Sequence, residues 1–141
     1  MKIILLAVAA LVVVVVLVPV IVGFMLPVAH VASREQHFDQ SPEQLWPYVV
    51  AEFHRSNDGN YRIASQRPPS ELVTEVAHPK FFGGTWTYTL TPENGGTHLT
   101  IVEHGEVYNP VFRFLSKFVF GQQGSLAGFF SSLDKAVTNR T

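Results

Sequence analysis

The chain has 141 residues, of which 47% are hydrophobic and 15% charged, and its formal net charge is −1. This length leaves room for one domain beside a targeting segment. A nearly neutral chain lacks the clustered basic face that nucleic-acid binding normally requires, so we predict no nucleic-acid partner. The absence of cysteine excludes both a disulfide framework and a thiolate metal site.

The N-terminal segment is a long apolar run. From Ile3 to Leu26 every residue is apolar apart from Pro19 and Gly23. A helix of this length spans roughly 36 Å, more than the hydrocarbon core of a bilayer of about 30 Å. A cleaved signal peptide is the competing interpretation, but its apolar region is usually only about 7–15 residues long. We therefore predict a transmembrane anchor over residues 1–29 and a folded domain over residues 30–141.

The charges beside the anchor bear on its orientation. Lys2 precedes the apolar run and Arg34 follows it, so the positive-inside rule has one charge on each side. We predict a single-pass membrane protein with a cytoplasmic N-terminus and the domain outside the cytoplasm.

A strand and a capped helix open the domain. Alternation over residues 31–39 predicts a short strand. Ser41, Pro42 and Gln44 have the pattern of an N-cap, a first helical position and a capping box. Pro47 predicts a kink or an early break in this helix. The apolar stripe of the helix consists of Leu45, Trp46, Val49, Val50 and Phe53.

Four further strands are predicted after the 54–60 loop. They lie at residues 61–66, 71–77, 84–91 and 97–107, and the Asn-Gly pair before the last one predicts a hairpin. Alternate residues of a strand point to the same face of the sheet. This rule places Trp86, Tyr88 and Leu90 on one face of their strand, and Leu99, Ile101 and Glu103 on one face of the next strand. A bulge at Gly105 is an alternative that would turn Glu103 outward.

A helix ends the chain. Asn109 and Pro110 have the pattern of its N-cap and first position. Its apolar stripe recurs at helical spacing and consists of Leu115, Val119, Gln122, Leu126, Phe129, Leu133 and Val137. Four phenylalanines near its start, Phe112, Phe114, Phe118 and Phe120, point in too many directions for one stripe to bury them all. We predict that they face the membrane or a cavity entrance, or that they cover the end of the sheet.

The order of these elements resembles the START-like helix-grip fold. The segment GGTWTYTLTPENGGTHLTIVEHGEVYNPVFRFLSKFVFG, residues 83–121, resembles membrane-anchored members of the SRPBCC superfamily in the polyketide cyclase branch. The segment SPEQLWPYV resembles the first helix of that family. The resemblance implies an α+β fold, in which a curved antiparallel sheet grips a long C-terminal helix around an internal cavity.

One interval departs from the family pattern. Family members have a second short helix and a β-hairpin where this chain has only the 54–60 loop. We therefore expect a shortened domain with about five strands. Residues 61–66 then form an exposed sheet edge, which favours pairing with a second copy of the chain.

The predicted binding site lies between the sheet and the final helix. Its candidate ligand-binding residues are Trp86, Tyr88, Leu90, Leu99, Ile101, Glu103, Leu115, Val119 and Phe129. Small-molecule pockets are mostly apolar with a few polar groups, which this set matches. The alternative is that these side chains only pack the sheet against the helix. A carboxylate such as Glu103 in apolar surroundings is typical of binding and acid–base sites.

The leading functional hypothesis is membrane-anchored binding of a hydrophobic small molecule or lipid, without chemistry. One alternative is an enzyme resembling polyketide cyclases or aromatases, in which Glu103 or Tyr88 positions or deprotonates the substrate. Another is an interaction module that uses the open sheet edge. We predict no catalytic residues, cofactor or metal. The sequence has no cysteine, no Gly-x-Ser-x-Gly elbow and no phosphate-binding glycine loop, and its six histidines lack a zinc-type spacing.

Overall fold

The structure is a computed structural model that describes residues 1–120 and 124–139. It is an α+β fold with a five-stranded antiparallel sheet, which confirms the predicted fold class and strand number. In chain order the elements are α1 (Lys2–Met25), β1 (Ala29–Phe38), α2 (Pro42–Ser56), β2 (Tyr61–Arg67), β3 (Glu71–Val76), β4 (Phe82–Glu93), β5 (Gly96–Val107), α3 (Pro110–Leu115), a π-helical turn (Ser116–Phe120) and α4 (Gly124–Thr138).

The strands are ordered β1-β5-β4-β3-β2, and each pair is antiparallel. The β4–β5 hairpin turns at Asn94 and Gly95, whose φ angles of 50° and 79° are the positive values that a two-residue Asn-Gly turn requires. Strand β2 forms one edge of the sheet, as predicted. This edge carries a register shift between Ile63 and Ser65, an irregularity of the kind that discourages pairing with another chain.

Helices α2 and α4 cover one face of the sheet and form the core with it. Ser41 and Gln44 form the predicted capping box. Helix α2 continues through Pro47 to Ser56, so the early break that was one of the two expected outcomes does not occur. Pro47 is exposed, while Leu45 and Val49 on the opposite side are fully buried and hold the helix against the core.

The described part of the C-terminal region contains α3, the π-helical turn that follows it directly, and α4. Asn109 caps α3 by accepting hydrogen bonds from the backbone N–H groups of Val111 and Phe112. In α4 the predicted stripe is buried at Leu126, Leu133 and Val137, together with Phe130. The predicted stripe position Gln122 lies outside the described residues. The stripe does not extend into the first half because α3 packs chiefly against α1 instead of the sheet.

Helix α1 is exposed over most of its length and joins the domain at its C-terminal end. A side chain at Gly23 would collide with the backbone of Pro110, so only glycine permits this close approach. The Arg113 guanidinium donates hydrogen bonds to the carbonyl oxygens of Gly23, at 2.8 Å, and Leu26, at 3.1 Å. Carbonyls at a helix C-terminus lack partners within the helix and favour a nearby cation. Arg113 therefore ties α1 to the domain.

Candidate functional site

A half-open cavity of about 340 Å³ lies between the sheet and helices α2 and α4. This volume is at the small end of the range for ligand-binding pockets. The apolar part of its wall consists of Phe53, Trp86, Tyr88, Ile101, Leu126 and Phe129. Each of these side chains also contributes to the core or packs against it. The same hydrophobic face that builds the fold therefore leaves unfilled space beside α4.

Aromatic pairs shape the cavity on both sides. The rings of Tyr61 and Trp86 meet edge to face, with centroids 4.7 Å apart and an interplanar angle of 88°. The rings of Tyr88 and Phe129 are 5.3 Å apart and tilted. Such arrangements are favoured by the ring quadrupoles and hold the rings in fixed orientations. The wall is therefore built from side chains with little rotational freedom.

The tyrosine hydroxyls supply polar groups in this apolar wall. Burial raises the pKa of Tyr88 to about 12, although a hydrogen bond with the Thr74 hydroxyl acts in the opposite direction. Burial also raises the pKa of Tyr61, and the negative charges of Glu103 and Asp58 add to this effect. Both phenols remain protonated at neutral pH, so each can donate a hydrogen bond to a ligand oxygen.

The Tyr88 pKa predicts a loss of stability at high pH. Below about pH 10 this phenol is neutral in both the folded and the unfolded chain, so stability is unaffected. Between about pH 10 and 12 it ionises more readily in the unfolded chain, and the free energy of unfolding falls by about 2–3 kcal/mol. Urea unfolding of the full chain in micelles across this range, compared with Tyr88→Phe, measures the effect. An equal decline in both proteins would contradict it.

Glu103 lies directly behind the aromatic wall. Its carboxylate accepts a hydrogen bond from the Trp86 indole N–H at 2.9 Å, and its other oxygen is 3.0 Å from His30 Nε2. The β4–β5 register continues past Gly105 without a bulge, so Glu103 stays on the buried face. Gly105 has a different role, since any side chain there would overlap the His30 ring. Glu103 thus fixes the orientation of Trp86 at the cavity.

Polar groups form the rim where α2 ends. Glu52 is almost fully buried and pairs with Arg55, whose Nε lies 3.0 Å from Glu52 Oε2. The Asn57 side chain bridges to β2, accepting from the Tyr61 N–H at 3.2 Å and donating to the Tyr61 carbonyl at 2.8 Å. This rim gives the cavity a charged and hydrogen-bonding edge opposite its apolar interior.

The structure brings together only part of the predicted site. Trp86, Tyr88, Ile101 and Phe129 line the cavity. Leu90 and Leu99 are buried in the core and lie outside the cavity wall.

Two other predicted residues lie elsewhere. Leu115 is half-buried, and Val119 is exposed, with 61% of its surface accessible. The reason is that α3 packs chiefly against the end of α1 instead of the sheet.

Sequence reasoning missed several cavity residues. Tyr61 begins the edge strand, and Thr74 is a polar residue on the inward face of β3. The alternation of Leu72, Thr74 and Val76 was the available signal for Thr74, because a polar residue between two inward apolar ones must face the same interior. Among the residues that the structure describes, no group of three His, Cys, Asp or Glu side chains is placed to hold a metal ion.

Solved structures with the same fold support this architecture. Protein MLL2253 from Mesorhizobium loti is 18% identical, with a TM-score of 0.61, and the match covers 79% of this chain and 99% of that one. TTHA0849 from Thermus thermophilus is 14% identical, with a TM-score of 0.54 and the same coverage of both chains. Ara h 8.0201 is 10% identical, with a TM-score of 0.54 and again the same coverage.

These similarities concern the fold alone, which is a helix-grip fold. No protein-family model matches the chain, and no curated protein is similar to it in sequence.

Proposed function

We propose that this chain is a membrane-anchored binding domain for a hydrophobic small molecule or lipid, which it holds in the sheet–helix cavity without chemical change. The observation that carries the proposal is the half-open cavity with an aromatic wall. The protonated phenols of Tyr61 and Tyr88 add hydrogen-bond donors to this wall. The cavity suits an amphipathic ligand, with its apolar part against Trp86 and Phe129 and an oxygen acceptor near the phenols.

The position of the cavity supports a ligand that comes from the membrane. Strand β4 begins at Phe82, which pairs with Val107, and the Val107 N–H bonds to the Val28 carbonyl just after α1. Phe82 and Val107 therefore mark the end of the sheet next to α1. Tyr61 at the start of β2 and Trp86 near the start of β4 lie towards the same end. Helix α1 is long and apolar enough to cross a bilayer. A cytoplasmic N-terminus with the domain on the other side is part of the proposal.

The same contacts weigh against the enzymatic alternative. Both oxygens of Glu103 already have partners in Trp86 and His30, which leaves this carboxylate badly placed to remove a substrate proton. The raised pKa of Tyr88 keeps its phenol protonated, so it is a poor base at neutral pH. We therefore propose that this chain shares ancestry with the polyketide cyclase branch but does not catalyse a cyclase reaction.

Photo-crosslinking tests the binding function directly. The full chain in nanodiscs is exposed to a diazirine-bearing fatty acid, irradiated and mapped by peptide mass spectrometry. We expect labels on α1, which lipid surrounds, and also on the cavity segments of β4 and α4. Excess unlabelled fatty acid should reduce the cavity labels at least about tenfold and leave the α1 labels largely unchanged. Labels confined to α1 would reject the proposal for acyl-chain ligands.

A further inference from the structure

The last two turns of α1 form a packed joint with α3. Pro19, Val20, Val22 and Leu26 are half-buried and Gly23 is buried, whereas the preceding part of α1 is exposed. These positions lie on one side of the helix, the side that contacts α3. The Gly23 contact and the Arg113 hydrogen bonds hold the two helices together. The position of α3 is therefore fixed relative to the end of the apolar helix.

The length of α1 gives the depth of this joint. At 1.5 Å per residue, Pro19 lies roughly 26 Å and Met25 roughly 35 Å from Lys2 along the helix. The hydrocarbon core of a bilayer is about 30 Å thick. With Lys2 at one surface, the segment that contacts α3 therefore reaches the opposite boundary between acyl chains and headgroups. With α1 in this proposed position, helix α3 lies at that boundary.

Exposed aromatic side chains lie on α3, on the π-helical turn after it and at the start of β4. We call this surface the juxtamembrane patch, and it consists of Phe81, Phe112, Phe118, Val119, Lys80 and Lys117. Phe81 and Phe118 are 52% and 58% exposed. Phe81 and Phe112 are in ring contact at 6.2 Å, which joins the start of β4 to α3. Each lysine ammonium lies over a neighbouring ring, Lys80 at 5.5 Å from Phe81 and Lys117 at 5.9 Å from Phe118.

We propose that the juxtamembrane patch rests on the surface of the bilayer that α1 enters. Its aromatic rings insert at the acyl–headgroup boundary, where such rings are enriched in membrane proteins. Its two lysines extend to the lipid phosphates, since long cationic side chains keep their charge at the interface while their stems lie along apolar surface. The patch holds the domain against the membrane in one orientation. This attachment rests on the proposed membrane anchoring by α1 but is independent of ligand binding in the cavity.

The absence of cysteine makes the depth of the patch measurable in the full chain. The Phe118→Cys variant is labelled with an environment-sensitive fluorophore and placed in nanodiscs. The nanodisc lipids bear a nitroxide quencher near the glycerol end of the acyl chain. Thr91→Cys, exposed at the far end of β4, is the control. We expect the lipid nitroxide to quench the Phe118→Cys label at least about threefold more strongly, and aqueous iodide to quench the Thr91→Cys label more strongly. Equal quenching at both sites would overturn the proposal.

A charge variant tests the lysines separately. Lys80→Glu with Lys117→Glu should reduce quenching of the Phe118→Cys label at least about twofold in phosphatidylserine-containing nanodiscs. The same variant should have a smaller effect in nanodiscs of phosphatidylcholine alone, which has no net charge. Equal quenching before and after the charge change in both lipids would overturn the role of the lysines. None of these outcomes depends on an occupied cavity, so they are distinguishable from failure of the proposed binding function.

Discussion

Replacing Phe130 with alanine is expected to lower the free energy of unfolding by about 3–5 kcal/mol, the usual cost of deleting a buried phenylalanine ring. Phe130 is only 2% exposed and packs in the core beneath α4. The loss combines the transfer of the ring to water with the cavity left behind. Because small domains are stable by only about 5–15 kcal/mol, this change removes a large share of the total.

The adjacent Phe129 provides a matched control. It is half-buried and lines the cavity, where it contacts Tyr88. Phe129→Ala should cost less in stability than Phe130→Ala because less of the ring is removed from packed surroundings. Urea unfolding of the full chain in detergent micelles, followed by tryptophan fluorescence, measures both variants. A larger loss at Phe129 than at Phe130 would show that α4 faces the sheet in a different orientation.

Replacing Gly128 with tryptophan is expected to close the cavity and abolish ligand binding. Gly128 lines the cavity, and a Cβ built there meets no atom within 4 Å, so the backbone permits a side chain. We expect an indole at this position to fill part of the cavity that Gly128 lines together with Phe129 and Ser132. The cavity is small, so an indole should leave too little room for an acyl chain. Labelling of β4 and α4 by the diazirine fatty acid should fall at least about tenfold.

Gly128→Ala is the control for this change. Its methyl group occupies little of the cavity, and alanine stabilises a helix by up to about 1 kcal/mol relative to glycine. The alanine variant should therefore keep its cavity labels and unfold at a slightly higher urea concentration. If the tryptophan variant also kept its labels while remaining folded, the labelled segments would owe their reactivity to some other site.

Local patterns predicted most of the fold. The five strands follow from alternation, and the β4–β5 hairpin follows from Asn94 and Gly95, which alone set the turn. The capping box at Ser41 and the cap at Asn109 are likewise encoded within a few residues. These features need no knowledge of distant parts of the chain, which is why the sequence was sufficient for them.

The packing partner of α3 could not be predicted in the same way. Helical spacing shows that Leu115 and Val119 share a side with Leu126, but not which element covers that side. The partner of α3 is the end of α1, and the contact depends on Gly23 meeting Pro110 from far along the chain. Helical spacing alone therefore led us to predict that Leu115 and Val119 line the cavity, but neither residue is part of its wall.

Only part of the environment of Glu103 could be predicted from the sequence. Alternation placed this residue on the inward face, as the structure finds. The Trp86 partner follows from the β4–β5 register that the two-residue turn at Asn94 and Gly95 sets, whereas the His30 partner depends on the register of β1 with β5. A single sequence gives strand faces but does not give the register of strands far apart in the chain.

Native mass spectrometry of the full chain, released from detergent micelles, tests the central claim most directly. The account predicts that the purified wild-type protein carries one bound hydrophobic molecule of defined mass, and that Gly128→Trp carries none while Gly128→Ala retains it. A wild-type chain that is free of any such molecule after extraction from membranes, and that stays free when a fatty acid is added, would contradict the claim.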